Sequence, residues 1–139
     1  MDTAQPGGTA HPAGTPRREA RILVADDDED VRDIVRAKLS RAGHDVRCVA
    51  DGPTALESIR LWRPDLAVLD RAMPGLDGLD VLREVRRDPE VSETRVIMLT
   101  GHARIADRDT GIAAGADEYV FKPFSPQDLL DRVDRVLEL

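Results

Sequence analysis

A chain of 139 residues has room for one domain with a substantial core, and with 41% hydrophobic but only 3% aromatic residues, aliphatic side chains must fill it. The formal net charge of −7 argues against general nucleic-acid binding. The lone Cys48 excludes an internal disulfide and suits a reducing cytoplasm, and there is neither a signal-peptide pattern nor an apolar run near the ~18 residues of a membrane span.

Residues 1–18 contain Pro6, Gly7, Gly8, Pro12, Gly14 and Pro16, and no large aliphatic residue follows Met1. Such a segment buries too little surface to offset ordering, so it is predicted to be a disordered tail before a domain over 19–139.

From Arg21 onward, strand and helix patterns alternate. Ile22-Leu23-Val24-Ala25 runs into Asp26-Asp27-Asp28. Val31, Ile34, Val35, Lys38, Leu39 and Ala42 then follow helical spacing up to Gly43. Val46, Cys48 and Ala50 mark a short second strand, and Ala55, Leu56 and Ile59 a helix that Pro64 ends. Leu66-Ala67-Val68-Leu69 runs into Asp70 before a helix carrying Leu79, Leu82 and Val85. Val96-Ile97-Met98-Leu99 runs into Thr100, followed by a thin helical stripe of Ile105, Ile112 and Ala113 that Gly115 stops. Tyr119-Val120-Phe121 runs into Lys122. The last helix opens with Ser125 as cap and Pro126 in its first turn, and Leu129, Leu130, Val133, Val136 and Leu137 form its inner face. Unbroken apolar runs read as strands buried on both faces, and five strands alternating with five helices predict an α/β, (βα)5 doubly wound parallel sheet.

In such sheets ligands gather beyond the carboxyl ends of the strands. Those ends carry carboxylates, a hydroxyl and an ammonium. Three adjacent acids repel one another, and a hard divalent cation such as Mg2+ relieves the repulsion. An aspartate can act as a nucleophile and form an aspartyl phosphate. Thr100 and Lys122 can each hold a phosphoryl oxygen. Taken singly these residues are ordinary: acidic doublets are mostly solvated loops, and Thr favours strands. Their joint placement at the ends of alternating strands is specific.

From Arg21 to Leu139 the chain resembles the receiver domain of bacterial response regulators. The resemblance is carried by Ile22-Leu23-Val24-Ala25-Asp26-Asp27-Asp28, by Pro64 to Asp70 with Met73-Pro74-Gly75-Leu76-Asp77-Gly78, by Val96 to Gly101, and by Gly115 to Phe124. It implies a flavodoxin-like sheet of strand order 2-1-3-4-5 and a signalling domain in a two-component phosphorelay, rather than a turnover enzyme. It implies that Asp70 accepts a phosphoryl group from a histidine kinase or a histidine phosphotransfer protein. Asp26, Asp27 and the backbone carbonyl of Ala72 would hold Mg2+ with Asp70. Asp28 shares the acidic run and leaves open a register shift of one. Thr100 and Lys122 would hold phosphoryl oxygens, Tyr119 would be a rotameric switch coupled to Thr100, and Lys122-Pro123 would be a cis peptide. Ala72 and His102 would flank the path of a hydrolytic water and tune the lifetime of the phosphoryl group.

The implied partners are the phosphodonor protein and a downstream protein target, with no direct nucleic-acid contact and no membrane insertion. A cytoplasmic stand-alone receiver, ending at Leu139, is expected to signal by protein contact as a monomer or a weak phosphorylation-dependent dimer. The resemblance implies that a dimer would use the face built from the fourth helix, fifth strand and fifth helix, where Asp117 and Arg132 are suitable charges. Arg71, directly after Asp70, departs from the apolar residue more frequent there; it is expected to be a solvated charge or a partner contact. Phosphatases of the haloacid-dehalogenase type share a strand-end Asp, a Thr and a Lys, and Asp26-x-Asp28 imitates their opening motif. They lack a role for Met73-Pro74-Gly75, and no second acidic metal motif lies near the end of the chain. A receiver-like scaffold that is never phosphorylated would not need the full set of polar strand ends.

Overall fold

The computed structural model describes residues 19–101 and 105–139; the predicted tail and His102 lie outside them. Five strands, β1 (Arg21–Ala25), β2 (Asp45–Val49), β3 (Leu66–Asp70), β4 (Arg95–Thr100) and β5 (Glu118–Phe121), alternate with five helices. The helices are α1 (Glu29–Arg41), α2 (Gly52–Trp62), α3 (Gly78–Arg87), α4 (Ile105–Ala113) and α5 (Pro126–Leu137). All strand pairs are parallel, in the order β2-β1-β3-β4-β5. No helix among the described residues is long and apolar enough to cross a membrane.

The alternation of side chains along a strand divides the core in two. Leu23, Ala67, Leu69, Val96 and Met98 face α2 and α3, where Ile59, Leu82 and Val85 complete one cluster. Ile22, Val24, Val68, Ile97 and Leu99 face α1 and α5, where Val35, Leu39, Leu129 and Val133 complete the other. β3 is buried at all five positions, as a central strand covered on both faces must be.

Helix starts follow local chemistry. Asp28, Asp51, Asp77 and Ser125 each accept a bond from the backbone N–H of the first turn of α1, α2, α3 and α5. Pro126 takes its predicted place inside the first turn of α5. α2 ends at Trp62, where Arg63 turns left-handed at φ 53° before Pro64. Two apolar residues counted in the helical stripes face outward: Ile34 is 50% exposed and Ile112 46%. Helical spacing gives a stripe wider than the groove between helix and sheet, so its edge positions stay in water. Ala50 lies beyond β2, which ends at Val49.

A candidate phosphoryl and metal site at the carboxyl edge of the sheet

Register brings the predicted residues together. Ala25 pairs with Leu69, so Asp26 lies level with Asp70, and Asp70 in turn pairs with Leu99 beside Thr100. Thr100 pairs with Phe121, one residue before Lys122. Asp26 and Thr100 are fully buried and Asp70 is 4% exposed. The Lys122 ammonium lies 2.8 Å from Asp26 Oδ2 and 3.4 Å from Asp70 Oδ1. The Lys122 backbone N–H donates to the Thr100 carbonyl at 2.6 Å, which ties the ends of β4 and β5. The Lys122–Pro123 peptide bond is cis.

Asp26, Asp27 and Asp70 each offer a carboxylate oxygen within 4.8 Å of the others. Asp26 Oδ1 accepts from the Asp28 N–H at 2.9 Å, whereas its buried Oδ2 has the Lys122 ammonium nearby but no aligned hydrogen bond. Three convergent carboxylate oxygens, one of them buried and only partly satisfied, fit a hard divalent cation. Asp28 is not among them. Its side chain caps α1 by accepting from the Asp30 N–H at 2.9 Å. Arg32, unremarked in the sequence, fixes the run from behind by donating to the Asp26 carbonyl at 2.7 Å.

Burial pushes the Asp70 carboxyl up to about 6; the neighbouring Asp26 charge adds to this, and Lys122 opposes it. For Lys122, burial acts downward, but its ion pairs with Asp26 and Asp70 outweigh it and hold the ammonium above its ordinary value. Both groups keep their charges near neutral pH.

The loop after β3 is held close to Asp70. The Ala72 N–H donates to Asp70 Oδ1 at 3.4 Å, and the Gly78 N–H to the Arg71 carbonyl at 3.0 Å. A Cβ at Gly78 would stand 2.3 Å from the Asp70 carbonyl oxygen, so only glycine permits this approach. Arg71 pairs with Asp77, the α3 cap, at 3.6 Å. Tyr119 points inward, 4% exposed, edge-on to Phe121 at 5.7 Å, with no hydrogen-bond partner for its hydroxyl among the described residues.

On the opposite flank, Arg132 binds Glu118 at 3.2 Å and Asp128 at 3.1 Å, while Asp117 binds Arg86 at 3.3 Å. Arg86 also escaped the sequence reading. Its guanidinium donates to the carbonyls of Ser92, Thr94 and Gly115 and so joins the turn after α3 to the turn after α4. Its position in the last turn of an amphipathic helix carries no signal of that role.

Known proteins match this architecture closely. A relative named "Probable transcriptional regulator ycf27", from Porphyridium aerugineum, is 43% identical over 120 residues, 86% of this chain and 49% of its own length. The DNA-binding response regulator MtrA of Mycolicibacterium smegmatis is 42% identical over 113 residues, 81% of this chain and 48% of its own. The chain thus spans about half the length of these relatives. Among solved structures, the chemotaxis response regulator CheY4 of Vibrio cholerae superposes with a TM-score of 0.81 at 33% identity, covering 86% of this chain and 99% of that one. The receiver domain of the Francisella response regulator 1452 gives 0.81 at 32% identity over 86% and 98%. The family model of the response regulator receiver domain matches residues 22–134, and the chain belongs to this family of two-component signalling proteins.

Proposed function

We propose that Asp70 is the phosphoacceptor of a Mg2+-dependent phosphorelay and that its modification changes a protein-binding face through Thr100 and Tyr119. The observation that carries this reading is the convergence of three carboxylates and one ammonium at a single sheet edge, with the nearly buried Asp70 in contact with Lys122. An Asp70 carboxylate oxygen attacks phosphorus, the new P–O bond forms, and the phosphohistidine P–N bond of a kinase or phosphotransfer protein breaks. Lys122 stands where one phosphoryl oxygen would come to lie, and the Thr100 hydroxyl can donate to another. Asp26, Asp27, Asp70 and the Ala72 carbonyl are the groups that would hold Mg2+. When bound, the ion offsets the negative charge gathered by the incoming phosphoryl group.

Phosphorylation adds about −1.5 to −2 charge units and strong acceptors. Thr100 is drawn to them and vacates space beside Tyr119, with α4 the element that responds. Ala72 has no side-chain polar group to orient a hydrolytic water, so the lifetime of the phosphoryl group, tuned at Ala72 and His102, is set more by partner proteins than by the domain. The output is protein contact, by a monomer or a weak dimer in the cytoplasm, without direct contact between this domain and nucleic acid. The name of MtrA describes a protein twice as long as the matched region.

Acetyl phosphate with Mg2+ tests the reading. One acid-stable, base-labile phosphoryl group is expected per chain, and none in Asp70→Asn. Equal labelling of that variant would remove Asp70 from its role.

A further inference from the structure

The inward position of Tyr119 depends on a missing atom. A Cβ built at Gly111, in α4, would stand 2.5 Å from Tyr119 Cε2 and 2.8 Å from Cδ2, well inside contact distance. The ring therefore lies flush against the helix backbone, in the volume that any other side chain would fill. Gly111 is itself buried.

The helix has little freedom to give way at this point. The Gly115 N–H donates to the Ile112 carbonyl and the Ala116 N–H to the Gly111 carbonyl, both at 3.0 Å, with Gly115 left-handed at φ 112°. This Schellman closure satisfies the last carbonyls of α4 and includes Gly111 itself. Beyond it, Arg86 donates two bonds to the Gly115 carbonyl, at 3.1 and 2.7 Å, and its other nitrogen reaches the Ser92 and Thr94 carbonyls. The carboxyl end of α4 is thus anchored to the α3–β4 turn. Tyr119, by contrast, is a single side chain with a rotatable χ1, and its hydroxyl has no hydrogen-bond partner among the described residues. At this contact the ring, rather than the anchored carboxyl end of α4, is the part free to move.

We infer that Gly111 is the positioning residue of the switch: it forms the seat that lets Tyr119 turn inward, and its side-chain size sets how much of the chain holds the ring there. The inference rests on the proposed coupling between Thr100 and Tyr119 for its signalling meaning, though not for the seat itself. If phosphorylation favours the inward ring, the inward ring favours the phosphorylated state in turn, and a substitution that expels the ring lowers the phosphorylated fraction.

Helix propensity makes the opposite forecast. Ala in place of Gly inside a helix normally stabilises it, because Gly loses more backbone freedom on folding. The sign of the effect of Gly111→Ala therefore separates the two accounts.

The chain has one tyrosine, so 3-fluorotyrosine labelling places a single 19F resonance at Tyr119. In the full chain without phosphodonor, that resonance should be shielded from a soluble paramagnetic probe. In Gly111→Ala it should shift and broaden as the ring meets solvent, whereas Ala113→Ser, at an exposed position of the same helix, should leave it unchanged. Phosphorylation of Gly111→Ala by acetyl phosphate with Mg2+ should fall on the order of five-fold at subsaturating donor. If Gly111→Ala folds poorly, the double variant Gly111→Ala/Tyr119→Ala decides: removing the ring should restore the melting temperature to that of Tyr119→Ala or above. A shielded resonance with an unchanged or higher melting temperature in Gly111→Ala would overturn the seat. So would an equal loss of stability with and without the ring. If Gly111→Ala exposes the ring yet is phosphorylated as fully as wild type, the Thr100–Tyr119 coupling fails instead, and the unphosphorylated spectra still judge the seat.

Discussion

Asp70 concentrates the chemistry of the site in one carboxyl group. Its pKa is raised from 3.8 to about 6, by burial first and by the Asp26 charge second. A carboxyl whose folded value exceeds its unfolded one binds its proton more tightly when folded. Its contribution to stability is therefore full below about pH 4 and is lost as pH rises through about 6. At neutral pH the ionised Asp70 is a net cost to the fold, on the order of 1–2 kcal/mol after allowance for Lys122 and water on its open side. Asp70→Asn removes the titration. In metal-free buffer it should melt higher than wild type near pH 7.5, and the gap should close near pH 4.5. A gap that stays constant across this range would mean that Asp70 is not the strained group. Asp28 teaches a related lesson: three adjacent aspartates look equivalent as text, yet one is committed to a helix cap.

At the scale of the element, the loop between β3 and α3 sets the frame around Asp70. Asp77 begins α3 with a capping box: its carboxylate accepts from the Asp80 N–H at 2.8 Å, and Asp80 accepts from the Asp77 N–H at 3.4 Å. The same carboxylate pairs with Arg71. Asp77→Ala should lower stability by about 1 kcal/mol, the ordinary value of such a cap, with the surface ion pair adding little. Urea unfolding measures the loss, and a midpoint within error of wild type would show that the cap contributes nothing. Helix α4 stands apart from the other elements. Its apolar stripe is thin in sequence, and Ile112 on it is exposed. Among the described residues it is held by the Tyr119 ring against Gly111 and by the Arg86 bonds beyond its end.

For the whole molecule, the acidic edge predicts a stability that rises with a bound cation. Asp26, Asp27 and Asp70 repel one another in a domain that is already net acidic. A cation that binds only the folded chain raises stability by mass action, about 1.4 kcal/mol at ten times its Kd. Titrating Mg2+ into metal-free protein should raise Tm by a few degrees, on the order of 3–6 °C for a domain of this size. Asp27→Ala should abolish most of that rise while leaving the metal-free Tm equal to wild type or higher, since one repelling charge is gone. A fall in the metal-free Tm of this variant would show that Asp27 supports the fold itself.

Much of this protein is written in local sequence. Apolar runs four or five residues long identify strands buried on both faces, and alternation with helical spacing yields a parallel (βα)5 sheet. Caps such as Ser125 with Pro126 mark where helices begin, because satisfying the first turn's N–H groups is a problem solved within a few residues. The polar residues of the site are legible for the same reason: each ends a strand, and strand ends of a parallel sheet share one edge. What sequence cannot supply is distance between segments far apart in the chain. Register across β1, β3, β4 and β5 decides that Lys122 touches both Asp26 and Asp70. It is the packing of α4 on β5 that turns Gly111 from a poor helix former into the seat of Tyr119. The position of Gly115 against α3 likewise gives Arg86 three backbone carbonyls to hold. These contacts arise only when elements pack, and no local pattern encodes them.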